Sequence, residues 1–269
     1  MFRKNIQLKP YRGMSPWRKV ALATWRNSEE ASVYGWVDFD ATGIKAVMNK
    51  FEAEGKRLSP TTIAAKGLAI AIVSYPRSNS VIRFGRIYER EDVDIFLQVA
   101  PDDTGENLSG MVVRQCDQKS LEDISEEIKN KVGNIRTGRK DDFAKVTKTL
   151  SMSPTFLIGW ILRFMKFLNY TLNIWSPALG APRDAFGSGM VTSLGMLGIQ
   201  RGLAPLLPFY PCPIIVAVGR LEDKAVVING VVEVRTVLPL TMTFDHRLID
   251  GVGAGKMIAA ITAYLENPS

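Results

Sequence analysis

The chain carries one histidine, His246, in the stretch Phe244-Asp245-His246-Arg247-Leu248-Ile249-Asp250-Gly251. An imidazole titrates near neutral pH, so it can take a proton from a reacting group and return it later in the same turnover. With a single histidine among 269 residues, a histidine-rich metal site is excluded and any imidazole chemistry falls to His246. Asp250 suits a helix cap, and Gly251 lets the backbone turn. Taken alone, H-x-x-x-D is nonspecific. It fits a satisfied histidine at a strand end, followed by a capping aspartate, as well as it fits a catalytic base.

Other motif-like stretches resolve into nothing chemical. Gly251-Val252-Gly253-Ala254-Gly255-Lys256 is one residue short of a phosphate loop and is followed by Met257 in place of Ser or Thr, so its glycines are expected to serve helix packing. There is no G-x-S-x-G elbow to seat a nucleophilic serine. Arg136, Arg139 and Lys140 cluster without a recognition motif beside them, and no nucleic-acid partner is expected. Asn169-Tyr170-Thr171 is a formal glycosylation sequon with no secretory signal before it.

Composition narrows the class further. The chain is 46% hydrophobic and 23% charged, which suits a globular protein with a sizeable core. Its net charge of +7 favours an anionic partner without choosing one. Two cysteines, Cys116 and Cys212, cannot build a disulfide framework, so a reducing, cytoplasmic setting is the default. No repeat or linker divides residues 1–269, and a single domain is expected.

The elements that must position His246 follow from periodicity. Ala31 to Asp40 alternates, with Val33, Gly35, Val37 and Phe39 on one side and Tyr34, Trp36 and Asp38 on the other. Asp40 can cap a following helix whose apolar face is Ile44, Val47, Met48 and Phe51, and Gly55 stops it. Ser59-Pro60 opens an apolar helix that ends near Tyr75-Pro76. Ser120 and Asp123 have capping-box spacing at the head of a helix burying Leu121, Ile124, Ile128 and Val132. Strands are expected at 93–99, 110–114, 189–193, 214–218, 225–228, 231–234 and 238–244, with Asn229-Gly230 turning a tight hairpin. A terminal helix carries Met257, Ile258, Ile261, Tyr264 and Leu265 on one face. The result is a mixed α/β protein whose sheet is not purely parallel.

The stretch around His246 resembles the signature of the catalytic domain of dihydrolipoyl acyltransferases, the core subunits of 2-oxo acid dehydrogenase complexes. Three further stretches resemble the same family in the same order: Trp17-Arg18-Lys19-Val20-Ala21, Val37-Asp38-Phe39-Asp40 with Leu58-Ser59-Pro60, and Val191-Thr192-Ser193-Leu194-Gly195. The resemblance implies a chloramphenicol acetyltransferase-like sandwich, a mixed sheet with helices packed on it. It implies coenzyme A as a substrate, no metal, and His246 as the base that takes a proton from a thiol of coenzyme A or of a dihydrolipoyl group. A hydroxyl must then stabilise the tetrahedral oxyanion. Alignment on Leu194-Gly195 sets Thr192 where the family has serine, with Ser193 beside it. Asp250 would pair with Arg18 and hold the site's shape. The family also implies a homotrimer with active sites between subunits, and a higher cage in many members.

Three features depart from the pattern. No lipoyl or subunit-binding domain is visible, so a lipoyl group would have to come from a separate protein. The loop Pro101 to Asn107 is acidic where the family has a Pro-Arg-Gly style. A hydrophobic insertion runs from about Ser151 to Phe186. Within it, Pro154 to Trp175 is crowded with apolar residues, interrupted by Arg163, Lys166, Asn169 and Asn173 along one helical stripe. Two central cations argue against a membrane span. The segment is expected to cover the core, pack on another subunit or lie on a membrane surface. A noncatalytic scaffold that uses this insertion as its binding surface is the alternative to an acyltransferase.

Overall fold

The computed structural model describes residues 3–10, 31–99, 109–136, 154–177 and 182–268. Its strands are β1 (Arg3–Lys4), β2 (Leu8–Pro10), β3 (Ser32–Asp40), β4 (Ser80–Arg83), β5 (Arg86–Arg90), β6 (Ile95–Val99), β7 (Ser109–Val113), β8 (Ile174–Trp175), β9 (Gly189–Ser193), β10 (Ile214–Val218), β11 (Glu222–Ile228) and β12 (Val231–Asp245). Its α-helices among the described residues are α1 (Thr42–Ala53), α2 (Pro60–Ser74), α3 (Leu121–Arg136), α4 (Thr155–Lys166) and α5 (Gly251–Glu266).

A seven-stranded sheet runs β11-β12-β10-β9-β6-β7, with β3 also paired to β12. The β6–β9 and β9–β10 pairs are parallel and the others antiparallel, so the sheet is mixed as expected. The expected strands 231–234 and 238–244 are one continuous strand. Its first half pairs with β11, and its second half lies between β10 and β3. A change of environment, from exposed to fully buried, gave the sequence the look of a break there.

Alternation decides which residues meet the helices. Leu238, Leu240, Met242 and Phe244 of β12 and Val191 of β9 join Phe39 in the core under α2 and α5. Met190 and Ile215 point the other way and pack with Phe96, Leu206 and Cys212. On that second face the Thr243 hydroxyl donates to the Ala204 carbonyl at 2.6 Å, and the Thr241 hydroxyl donates to the Gly202 carbonyl. These bonds pin the segment after residue 201 over the sheet.

Helix starts follow local chemistry. The Ser59 hydroxyl accepts from the Thr62 amide at 3.1 Å, with Pro60 in the first turn. Ser120 and Asp123 close a reciprocal capping box. Asp40 acts one position earlier than a cap would: Ala41 is the cap residue, and Asp40 accepts from the Thr42 amide at 2.7 Å. Of the three glycines that open α5, Gly253 serves close packing, since a Cβ there would meet the Tyr75 ring at 2.6 Å. Gly251 and Gly255 face open space.

Candidate active site

β12 runs as a buried strand to Asp245, and α5 begins at Gly251. The five residues between form a tight turn. The Leu248 and Ile249 amides both donate to the Asp245 carbonyl at 2.9 Å, and the His246 amide donates to the Ala31 carbonyl at 2.8 Å. The backbone of His246 is therefore tied to the segment entering β3, and its ring stands at a rigid strand-to-helix corner.

The ring's partner selects its neutral tautomer. His246 Nδ1 lies 3.0 Å from the Ile249 carbonyl oxygen, which can only accept. In the neutral ring Nδ1 therefore carries the hydrogen, and Nε2 carries the lone pair that can receive a proton. That is the tautomer a general base needs.

Asp245 and Arg247 flank the histidine and take no role in the sequence reading. Arg247 grips Asp245 with both arms of its guanidinium, Nε to Oδ1 at 2.8 Å and Nη2 to Oδ2 at 2.5 Å, and both side chains are largely buried. A buried bidentate pair of this kind is geometrically specific, and here it clamps the turn from either side of the histidine. Acid and base at positions i and i+2 around a strand-end histidine were the signal available in the sequence. Asp250 is the N-cap of α5, its carboxylate accepting from the Gly253 amide at 2.9 Å. Arg18, its expected partner, and the acidic loop Pro101 to Asn107 lie outside the described residues.

Thr192 and Ser193 end β9. Successive strand residues face opposite sides, so only one of them can serve a given site. Thr192 shares the face of Met190 and, through Ala217, of Thr241, while Ser193 shares the helix-covered face of Val191. Thr192 and His246 do not meet within one chain. Thr192 is level with Ala217 and hence with Thr241, and His246 lies five residues beyond Thr241, about 16 Å along the strand at ~3.3 Å per residue. A groove of about 1030 Å³ lies elsewhere, between the end of α1 and α3, with Lys56, Arg57 and Lys129 on its rim, and borders neither residue.

The chain matches the model of the 2-oxoacid dehydrogenases acyltransferase catalytic domain over residues 11–156 and 183–269. It is 26% identical to the dihydrolipoyllysine-residue acetyltransferase component of the pyruvate dehydrogenase complex of Rhizobium meliloti, over 98% of this chain and 51% of that protein. The chain thus spans about half the length of that relative. The cubic core of a pyruvate dehydrogenase multienzyme complex shares its fold at a TM-score of 0.66 and 20% identity, covering 96% of this chain and 91% of that one. Chloramphenicol acetyltransferase does so at 0.59 and 12%, covering 96% and 100%. The strand-end histidine turn, the mixed sheet with helices on one face and the two matched blocks on either side of the insertion agree, and the chain belongs to the 2-oxoacid dehydrogenase acyltransferase catalytic-domain family.

Proposed function

We propose that the chain catalyses acyl transfer between coenzyme A and a dihydrolipoyl-type thiol. His246 Nε2 takes the proton of the attacking thiol. The thiolate adds to the acyl thioester carbonyl, and the Thr192 hydroxyl donates to the resulting oxyanion. Collapse of the tetrahedral intermediate breaks the original carbon–sulfur bond, and the departing thiolate recovers the proton from His246. The observation that carries this reading is the Nδ1 bond to the Ile249 carbonyl, which leaves Nε2 as the basic nitrogen.

The separation of Thr192 from His246 within one chain supports a centre built between copies, His246 from one and Thr192 from its neighbour. A homotrimer repeats such a contact around a closed ring, and a larger cage of trimers is compatible with it.

Thiol release from a panel of acyl-coenzyme A donors, with dihydrolipoamide as acceptor, tests the reading. Wild-type turnover with a loss of about 10²–10⁴ in kcat for His246→Ala is expected for removal of a general base. No turnover with any donor, together with no coenzyme A binding by calorimetry, would overturn it.

A further inference from the structure

Helix α4 presents an apolar ridge to the outside, and the chain that follows it is tied inward: Asn169 and Asn173 are buried, and Asn173 Oδ1 accepts from the Ile6 amide at 2.7 Å while its Nδ2 donates to the Ile6 carbonyl at 2.6 Å. The Asn169 carbonyl accepts from Asn5 Nδ2 at 3.0 Å, and Lys166 Nζ donates to the Pro208 carbonyl at 2.9 Å. The apolar ridge faces outward. Leu157, Trp160, Phe164 and Phe167 recur at steps of three, four and three, with Trp160 67% and Phe164 60% exposed. This ridge therefore does not cover the protein's own core, while Ile158, Ile161, Leu162 and Met165 of the same helix are half-buried. Residues 157–182 are also the stretch that the family model leaves unmatched, so the shared fold does not require this ridge.

We propose that the ridge seats the protein on an anionic phospholipid surface. A twelve-residue helix is about 18 Å long, too short to span a bilayer, and none of the described helices is long and apolar enough to cross one. It is long enough to lie in the interface with its apolar face among acyl chains. The charge around it has the matching sign. Between Asp142 and Asp184 the sequence contains no acidic residue, and among the described residues of that stretch Arg163 and Arg183 are exposed cations. Arg163 stands 5.7 Å from the centre of the Trp160 ring, at the edge of the ridge. Beyond the helix, Arg83 donates to the Thr171 carbonyl at 2.9 Å, and Arg3 and Lys4 are exposed on β1, which pairs with β8. Of the described acids on this side, Glu89 pairs with Lys9 at 3.3 Å and Asp184 with Arg90 at 3.2 Å in the interior, while Glu91 is exposed beside Gln7. Cations of this density draw a helix to anionic headgroups, whereas the same face set against its own copy would bring like charges together.

Vesicle flotation tests the proposal, using phosphatidylcholine vesicles with and without phosphatidylglycerol. The protein is expected to bind the anionic vesicles about tenfold or more tightly than the neutral ones, with binding lost at high salt. Trp160→Glu combined with Phe164→Glu removes flotation, and Arg163→Gln weakens it about fivefold. Val234→Glu, on an exposed strand position elsewhere, leaves it unchanged. Thermal unfolding and acyl transfer between soluble substrates stay at wild-type values in all of these variants. Absence of flotation on anionic vesicles, or flotation that survives the double substitution, overturns the proposal. So does a fall in the light-scattering mass of the double variant, which would assign the ridge to a contact between copies.

Discussion

Thr192 and His246 are carried by one sheet, and the register of β9, β10 and β12 sets them about 16 Å apart along the strands. A hydroxyl at that distance cannot touch an oxyanion formed beside the imidazole. If the centre is built between copies, two inactive variants should repair each other. His246→Ala chains supply an intact Thr192, and Thr192→Val chains an intact His246. Refolding the two together in equal amounts should return roughly a quarter of wild-type activity, because each interface draws one chain of each kind at random. Each variant refolded alone should stay at its own low rate. Mixed oligomers that show only the average of the two single variants would put both groups in one subunit and refute the arrangement.

The pleat of β9 separates Thr192 from Ser193 in a way kinetics can read. Thr192→Val keeps the shape and removes the hydroxyl, so kcat should fall by about 10²–10³, the usual cost of one oxyanion donor. Thr192→Ser restores the donor and should recover most of that loss. Ser193→Ala, on the helix-covered face with Val191, should leave kcat close to wild type. The reverse ranking would place Ser193 at the oxyanion and require β9 to be rotated by one residue.

Periodicity was most legible where one face of an element is buried. β9 and β10 fall on their expected residues, and the Asn229-Gly230 turn takes positive φ at both positions, 51° and 83°. Less was visible where burial is uneven or a contact is distant. Arg86 to Arg90 has little apolar content, and its turn sets a bulky Phe84 at a φ of 48° before Gly85 at 71°, so the small sheet β2-β5-β4 gave little strand signal. The hydrophobicity of α4 was plain, but its direction was not. Only the structure shows that Asn169 and Asn173 are buried against the N-terminal segment while Leu157, Trp160, Phe164 and Phe167 face outward. Of the site, His246 and the cap at Asp250 were readable locally. The Asp245–Arg247 clamp carried a local signal in its two-residue spacing, whereas the separation from Thr192 depends on a fold that brings residues 31, 192 and 246 onto one framework.

The chain returning from the insertion is anchored by a buried ion pair. Arg90 Nε meets Asp184 Oδ2 at 3.2 Å, and the same guanidinium donates to the carbonyls of Ser80 at 3.2 Å and Pro211 at 2.8 Å. Arg90→Met strands a buried carboxylate and two carbonyls, and should cost about 3–5 kcal/mol of unfolding free energy in a denaturant titration. Arg90→Met combined with Asp184→Leu should cost less than the sum of the two single changes, because no lone charge remains. Strict additivity would mean that the pair does not couple in the folded state.

The two cysteines bear on how the acyl group travels. Cys116 is fully buried and Cys212 nearly so, and burial pushes both thiols up to about 12. At pH 8 only about one part in ten thousand of either would be thiolate, and the thiolate is the form that accepts an acyl group or attacks a disulfide reagent. Ellman's reagent should therefore find no reactive thiol in the folded protein and two after denaturation, matching two free cysteines. The same chemistry argues against an acyl-cysteine intermediate, and the proposed transfer is expected to pass the acyl group directly between two bound thiols. Initial rates measured against both substrates should then give intersecting double-reciprocal lines, and Cys116→Ala and Cys212→Ala should each retain turnover. Parallel lines, with rapid labelling of one thiol in the native state, would show that a cysteine carries the acyl group and that His246 serves a two-step exchange.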